Sequence, residues 1–342
     1  MKLFLPLVLA VVMPVGMLFA QAPDTSISIF CYFHQNPDSL PTLRVETNWG
    51  RLVRTKMAEE YQEAQLSFIG SDGGRDTLPI KMRARGNVRK EVCYYPPVKL
   101  KFQKADLKAL NFNNMNEVKC VFPCRSGERD ADYLLREALI YRLYERISPV
   151  HLHTQLVRLE GMQDGKDKLN SYALLVEHEE EFSARLKARV VERGIVNVGG
   201  LNRELYLRMV FFQYMIANTD WSLPNRHNVE MVAAEGYPKI VVVPYDFDYA
   251  GFVDAPYAIP ADVLPIKSVT DRYFLGYEVT KEEAMETARF FLSKKEELLD
   301  ICENYHWLSE KSRKGVRKSL LDFFEILKDE NWVEREFVNA KG

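Results

Sequence analysis

The sequence lacks any imbalance of charge: 46 basic and 48 acidic side chains leave a formal net charge of −2. Such a chain has no overall field to draw it to nucleic acid or to a membrane surface, and partners of either class are not expected. It also lacks, after about residue 20, any apolar run long enough to cross a bilayer. No internal repeat, low-complexity tract or clear glycine-rich phosphate loop is present. Cysteine is sparse, with five residues at 31, 93, 120, 124 and 302. Cys120 and Cys124 have no histidine or further cysteine at ligand spacing, which argues against a zinc site.

What is present begins with an export signal. One early charge at Lys2 precedes an uncharged run from Leu3 to Phe19 and a small residue at Ala20, so residues 1–20 read as a signal peptide. An uncleaved anchor is the rival reading, but Pro14 and Gly16 interrupt a run already shorter than the ~20 residues a spanning helix wants. Cys31 follows Phe30 rather than a small residue, which argues against lipid attachment. The expected location is the periplasm, the cell surface or the medium. In an oxidising compartment one or two disulfides are expected, with Cys93 pairing Cys124.

Hydrophobic residues make up 47% of the chain, enough for one large core or two lobes. Short β-rich runs separated by turn signals fill the stretch to Phe102, and residues 21–80 read as a β-rich extension. Residues 81–180 then form a strand-rich lobe. It contains a first long helix, opened by Asp130 or Asp132 and apolar around its whole axis, and two buried strands at 155–159 and 172–177. From 181 to 342 the pattern is almost wholly helical. Its centre is a very apolar helix over 202–217, followed by one opened by the capping box at Thr280–Glu283 and another over 310–328.

The chemistry-bearing stretch leaves that central helix. Asn218-Thr219-Asp220-Trp221 opens a loop running to Asn228, and a hairpin turning at Glu235-Gly236 leads to Pro244-Tyr245-Asp246-Phe247-Asp248. Antiparallel pairing about that turn puts Asn228 roughly opposite Pro244 and hence beside Asp246, with Asp220 approaching from the other side. Carboxylate and amide oxygens around one small volume suit Mg²⁺, which takes one or two carboxylates and completes its shell with water and phosphate oxygens. In phosphoryl transfer Asp220 is then the candidate base, with Asp246 and Asn228 as metal ligands and Asp248 as a second ligand or an orienting group. Each residue alone also fits a turn or cap, and only the set points to chemistry.

The strand-rich lobe offers basic groups. Arg83-Ala84-Arg85-Gly86-Asn87 sets cations beside a Gly-Asn pair where backbone amides approach a phosphate closely, and Lys99 alternates with apolar neighbours. Glu137 shares a helical face with Leu134, Tyr141 and Tyr144 and needs a cationic partner, for which Lys99 or Arg85 is the expectation.

These residues in this order resemble the spore coat protein H (CotH) kinase family over about residues 80–250. The likeness rests on Arg85-Gly86-Asn87 followed by Lys99, Leu135-Arg136-Glu137, the run from Tyr172 to Glu177, Asn218-Thr219-Asp220-Trp221 and Asp246-Phe247-Asp248. The resemblance implies an α+β, two-lobed atypical protein-kinase-like fold, with a strand-rich N-lobe and a helical C-lobe. It further implies ATP and Mg²⁺ as cofactors, Asp220 as the catalytic aspartate, Asp246 as the metal aspartate, and Glu177 at the end of the strand where the adenine is held. Residues 223–227 are extra to the family's pattern, so Asn225 and Asn228 both stand as candidates for the amide ligand, and His227 as a phosphate contact. Three functions follow: a kinase acting on Ser or Thr of an exported or surface protein, a kinase-like binding or structural module without turnover, and transfer of a nucleotidyl group.

Overall fold

The computed structural model describes residues 26–191 and 197–338; the expected signal peptide at 1–20 lies outside them. The chain mixes strands and helices in the order α1 (Ile29–Phe33), β1 (Thr42–Thr47), α2 (Trp49–Arg54), β2 (Gln62–Ile69), β3 (Arg75–Ala84), α3 (Val88–Val92), β4 (Val98–Phe102), α4 (Lys104–Ala109), β5 (Glu117–Val121), α5 (Glu128–Tyr144), β6 (Thr154–Gln163) and β7 (Lys166–Val176). Then come α6 (Glu179–Arg185), β8 (Arg189–Val190), α7 (Arg203–Met215), β9 (Val229–Ala233), β10 (Val241–Pro244), α8 (Lys281–Ser293), α9 (Lys295–Asn304), α10 (Glu310–Leu327) and α11 (Glu330–Val333).

The seven strands of the first half close into a barrel in the order β1-β2-β3-β4-β5-β7-β6, sealed by parallel pairing of β1 with β6. Strict alternation of buried and exposed residues along β2 and β3 turns Leu66, Phe68, Leu78 and Ile80 into the interior, where they meet Val98, Leu100 and Leu175. Because β1 and β2 belong to this same barrel, the boundary expected at residue 80 falls inside β3, and 21–80 is not a separate extension. Gly161 explains one tight point in the wall. A Cβ there would lie 2.8 Å from the Trp49 ring, whose Nε1 donates to the Met162 carbonyl at 3.0 Å.

The first four residues of β6 (Thr154 to Val157) and the last four of β7 (Ala173 to Val176) are buried on both faces, which explains the apolar run Ala173-Leu174-Leu175-Val176. Their outer face carries Leu156, Leu174 and Val176 into a second core with α5, α7, the β9–β10 hairpin and the C-terminal helices. Ten of the 13 residues of α7 are buried, as the absence of a polar stripe required. Helix α5 begins at Glu128, one turn before the expected Asp130 or Asp132, with Gly127 at its cap. Both that helix and α7 feed residues to the site described next. The expected capping box is present at Thr280 and Glu283. Cys93 and Cys124 form a disulfide, while Cys31, Cys120 and Cys302 are free. Among the described residues no helix is long and apolar enough to cross a membrane.

Candidate active site

Helix α7 ends in a backbone reversal at Ala217, whose φ of 51° lies in the left-handed region. The buried Asn218 then fixes the exit: its amide donates to Gln213 Oε1 at 2.9 Å, and its oxygen accepts the Asp220 N–H at 3.0 Å. This Asx-type turn presents Asp220 at the surface with its side chain 32% exposed. The loop after it is closed by reciprocal backbone hydrogen bonds between Ser222 and His227 of 2.9 and 3.0 Å. That closure sends Asn225 outward and brings Asn228 back. Asn228 Nδ2 donates to both the carbonyl and Oδ2 of Asp220, at 2.8 and 2.9 Å, and His227 Nε2 lies 2.9 Å from Asp220 Oδ1. Of the two asparagines, Asn228 is therefore the one joined to Asp220.

The hairpin carries the same network to the next acidic group. Pro244 pairs with Val229, one residue on from the expected register, so Asn228 instead accepts the Tyr245 N–H at 3.1 Å. Asp246 follows in a left-handed conformation (φ 59°), as do Arg226 and Asn228 (49° and 53°), a concentration of unusual backbone of the kind functional sites retain. The Asp246 N–H donates to the hydroxyl of Tyr141 from α5 at 3.0 Å, and the Tyr141 ring stands edge-on to Phe247. Asp246 itself is exposed. Burial, and then the charges of Asp248, Asp220 and Asp246, with Arg89 opposing, raise the Tyr249 hydroxyl above its ordinary range.

Asp248 is buried and committed. Its Oδ2 accepts from Arg89 Nε at 2.7 Å and from the Tyr257 hydroxyl at 3.1 Å. The other side of the same guanidinium pairs with Glu137 Oε2, so Arg89, itself only 10% exposed, bridges two carboxylates that are 2% and 6% exposed. The expected partner of Glu137 was Lys99 or Arg85, and this is corrected to Arg89. Lys99 sits on β4, separated from β7 by β5 and thus about 10 Å from the strand that α5 covers. It pairs with Glu117 at 2.7 Å, an acid shared with Lys101 and His178. Arg85 makes no ion pair among the described residues. Burial pushes Glu137 up to about 7, with Arg89 opposing and Asp248 and Asp246 adding to the rise. One guanidinium nitrogen of Arg89, Nη1, is buried without a partner.

Glu177 is the remaining candidate. Glu177 is fully buried at the end of β7 and held by Arg185 through two hydrogen bonds of 2.8 Å, with a third from the His153 N–H at 2.9 Å. Its side chain is a brace for the segment leaving the barrel. Past that segment lies a cavity of about 610 Å³, lined by Glu179, Val191, Arg226, Val229, Glu230 and Met231 among others. Its rim adjoins Asn228 through Val229. Lys119 stands beside it on β5, its Nζ 3.1 Å from Glu179 Oε1. Burial lowers the Lys119 ammonium below its ordinary range, as does the nearby Arg85 charge. Lys119 and Arg89 are the two cations the sequence reading missed. A lysine in Val118-Lys119-Cys120 gives the same alternating signal as Lys99, and a single arginine in a five-residue helix gives none.

Hard oxygen donors are the right chemistry for Mg²⁺: the exposed Asp246 carboxylate, Asp220, and the Asn228 amide oxygen, which takes no hydrogen bond among the described residues. Asp248 is engaged by Arg89 and Tyr257, and no group of three or more His, Cys, Asp or Glu able to hold a metal is found among the described residues.

No protein-family model matches the chain, and no curated protein matches it. Among solved structures, the crystal structure of a Helicobacter pylori proinflammatory kinase, CtkA, is similar to it with a TM-score of 0.42 and 11% sequence identity, over 76% of this chain and 95% of that one.

Proposed function

We propose that this protein is an exported kinase-like phosphotransferase of two lobes, using Mg-ATP to phosphorylate Ser or Thr on an exported or surface protein. The observation that carries the reading is the linkage of Asp220, Asn228 and the Asp246 loop across one hairpin, beside a cavity large enough for a nucleobase and flanked by Lys119. In this reading the barrel is the first lobe and the helical half the second. Asp220, held by Asn228 and His227, accepts the proton of the attacking hydroxyl. Asp246 and the Asn228 amide oxygen hold the metal, which when bound neutralises the phosphate oxygens and supplies Lewis acidity. Lys119 and Arg85 give the nucleotide site its positive charge, while Arg89 and Glu137 hold Asp248 in its place. The disulfide between Cys93 and Cys124 fits an oxidising compartment, where ATP is scarce, so the acceptors are proteins met during transit or near a source of nucleotide.

A kinase-like binding protein without turnover is the competing reading, and the engagement of Asp248 by Arg89 favours it. Incubation of the mature protein with Mg²⁺ and γ-labelled ATP, with a Ser/Thr-containing acceptor protein present, separates the two. Label is expected on Ser or Thr in the wild type, reduced by about 10²–10⁴ in Asp220→Ala, the usual contribution of a positioned base. Asp246→Ala should lose the response to Mg²⁺. Nucleotide binding without label in the wild type selects the binding protein, and label from α-labelled ATP alone selects nucleotidyl transfer. An absence of nucleotide binding overturns both enzymatic readings.

A further inference from the structure

Helix α3 is an anomaly among the elements around the site. It has five residues, too few to be stable alone, and none of them is among its buried set. Its apolar side chains face out, with Val88 42% and Val92 46% exposed. Apolar burial therefore does not hold it. What does hold it is polar and covalent. Lys56 Nζ donates to the carbonyls of Glu91 and Cys93 at 3.1 and 2.7 Å, Lys90 pairs with Glu59, and Cys93, the residue after the helix, is bonded to Cys124. Beside that bond the Tyr95 N–H donates to the Cys124 carbonyl at 3.2 Å.

The inward-facing product of this arrangement is Arg89. It reaches three groups on two other elements: Glu137 on α5, and Asp248 and Tyr257 on the segment after β10. Two buried carboxylates share one compensating cation, and a buried carboxylate left without its cation is repelled from that position. The segment from Asp246 to Tyr257 has further ties, from the Asp246 N–H to Tyr141 and from the backbone of Gly251 and Phe252 to the end of α7. Arg89 joins Asp248 and Tyr257 to α3 and, through Glu137, to α5, and the Tyr257 hydroxyl closes the group by donating to the same Asp248 Oδ2.

We infer that Arg89 is the positioning residue for the Asp246–Tyr257 segment, and that the Cys93–Cys124 disulfide keeps Arg89 in place by anchoring a helix with no core of its own. This extends the proposed function by naming what sets the geometry of its metal loop, and it rests on that reading only where nucleotide is concerned.

The test is hydrogen exchange, which reads the segment directly and needs no activity. Arg89→Met leaves two unpaired carboxylates and risks misfolding, so the informative variant is Arg89→Met/Glu137→Gln, which removes the cation and one of the acids together. In it, amides of 246–257 should exchange at least tenfold faster while those of α7 and of the barrel strands keep their wild-type protection. Cys93→Ser/Cys124→Ser, far from that segment in sequence, should speed the same amides. If wild type binds Mg-ATP, both variants should raise its KM more than they lower kcat, a split that general loss of folded protein does not give. Unchanged protection of 246–257 in Arg89→Met/Glu137→Gln overturns the positioning role. Loss there with full protection in the cysteine variant overturns the anchoring role. A wild type that binds no nucleotide defeats the proposed function and leaves the exchange result to decide this inference.

Discussion

Gly251 sits where the segment carrying Asp246 and Asp248 returns to the end of α7. Its N–H donates to the Ala217 carbonyl at 2.9 Å, and a Cβ at this position would lie 2.2 Å from the Val269 carbonyl oxygen and 2.9 Å from Ala217 Cβ. The first of these neighbours is backbone, which cannot rotate away. Gly251→Ala should therefore cost about 1–3 kcal/mol, the usual range for overpacking, seen as a lower urea midpoint with an unchanged slope. A midpoint within error of wild type would mean the segment is free to shift. The residue scale is also where sequence reading reached its limit. Glu137 could be recognised as a carboxylate needing a cation, since its helical neighbours Leu134 and Tyr141 are apolar, but not which cation. The expectation is Lys99 or Arg85 and the partner is Arg89, because the sheet order sets β4 two strands from β7 while the short helix α3 turns Arg89 toward α5.

At the scale of elements, those with a strong period were legible and those held by tertiary links were not. The β9–β10 hairpin was placed from its Glu235-Gly236 turn and missed by one residue in register, a small error with a large meaning, since it decides which backbone group Asn228 offers to Tyr245. Helix α7 was legible from its unbroken apolar run. Helix α3 was not, because its five residues carry no periodic signal and its stability comes from elsewhere. The disulfide that follows it closes a span of 31 residues, which in the chain-entropy picture contributes about 4 kcal/mol by restricting the unfolded chain. Cys93→Ser/Cys124→Ser should accordingly unfold at a lower denaturant concentration than wild type. A dithiol reductant should lower the wild-type midpoint and leave that of the double variant unmoved. Equal midpoints for oxidised wild type and the variant would show that the link adds no stability.

At the scale of the whole molecule, the N-terminal segment meets the rest through the buried side chains of Ile29, Phe30 and Phe33 and, stacked beside Phe30, through a row of histidines. His34, at the end of α1, lies 4.4 Å from His153 between ring centroids, and His153 lies 5.3 Å from His151. His34 Nδ1 meets the Thr154 carbonyl and His151 Nδ1 the Ser148 carbonyl, at 3.1 and 2.7 Å. Burial pushes His151 down to about 4 and His153 down to about 3, with the Arg185 charge and the other rings adding to the fall, and it lowers His34 as well. The unfolded chain, with ordinary histidines near 6.5, then binds more protons than the folded one below that value. Stability from these rings is complete above about pH 6.5 and declines as pH falls toward 4. Each site contributes at most about 1.4 kcal/mol per pH unit, less for rings that are partly exposed. Glu137, Glu145 and Glu181, raised by burial, take up protons on folding and oppose this trend, so the informative quantity is a difference between proteins. His153→Asn should flatten the decline of melting temperature between pH 7 and pH 4 relative to wild type. Amides of α1, which is tied to the rest by its buried Ile29, Phe30 and Phe33 as well as by His34 and the Ser28 and Cys31 contacts with Glu181, should lose protection in the acidified wild type more than in His153→Asn. Parallel melting curves for the two proteins across that range would show that the stack carries no acid sensitivity.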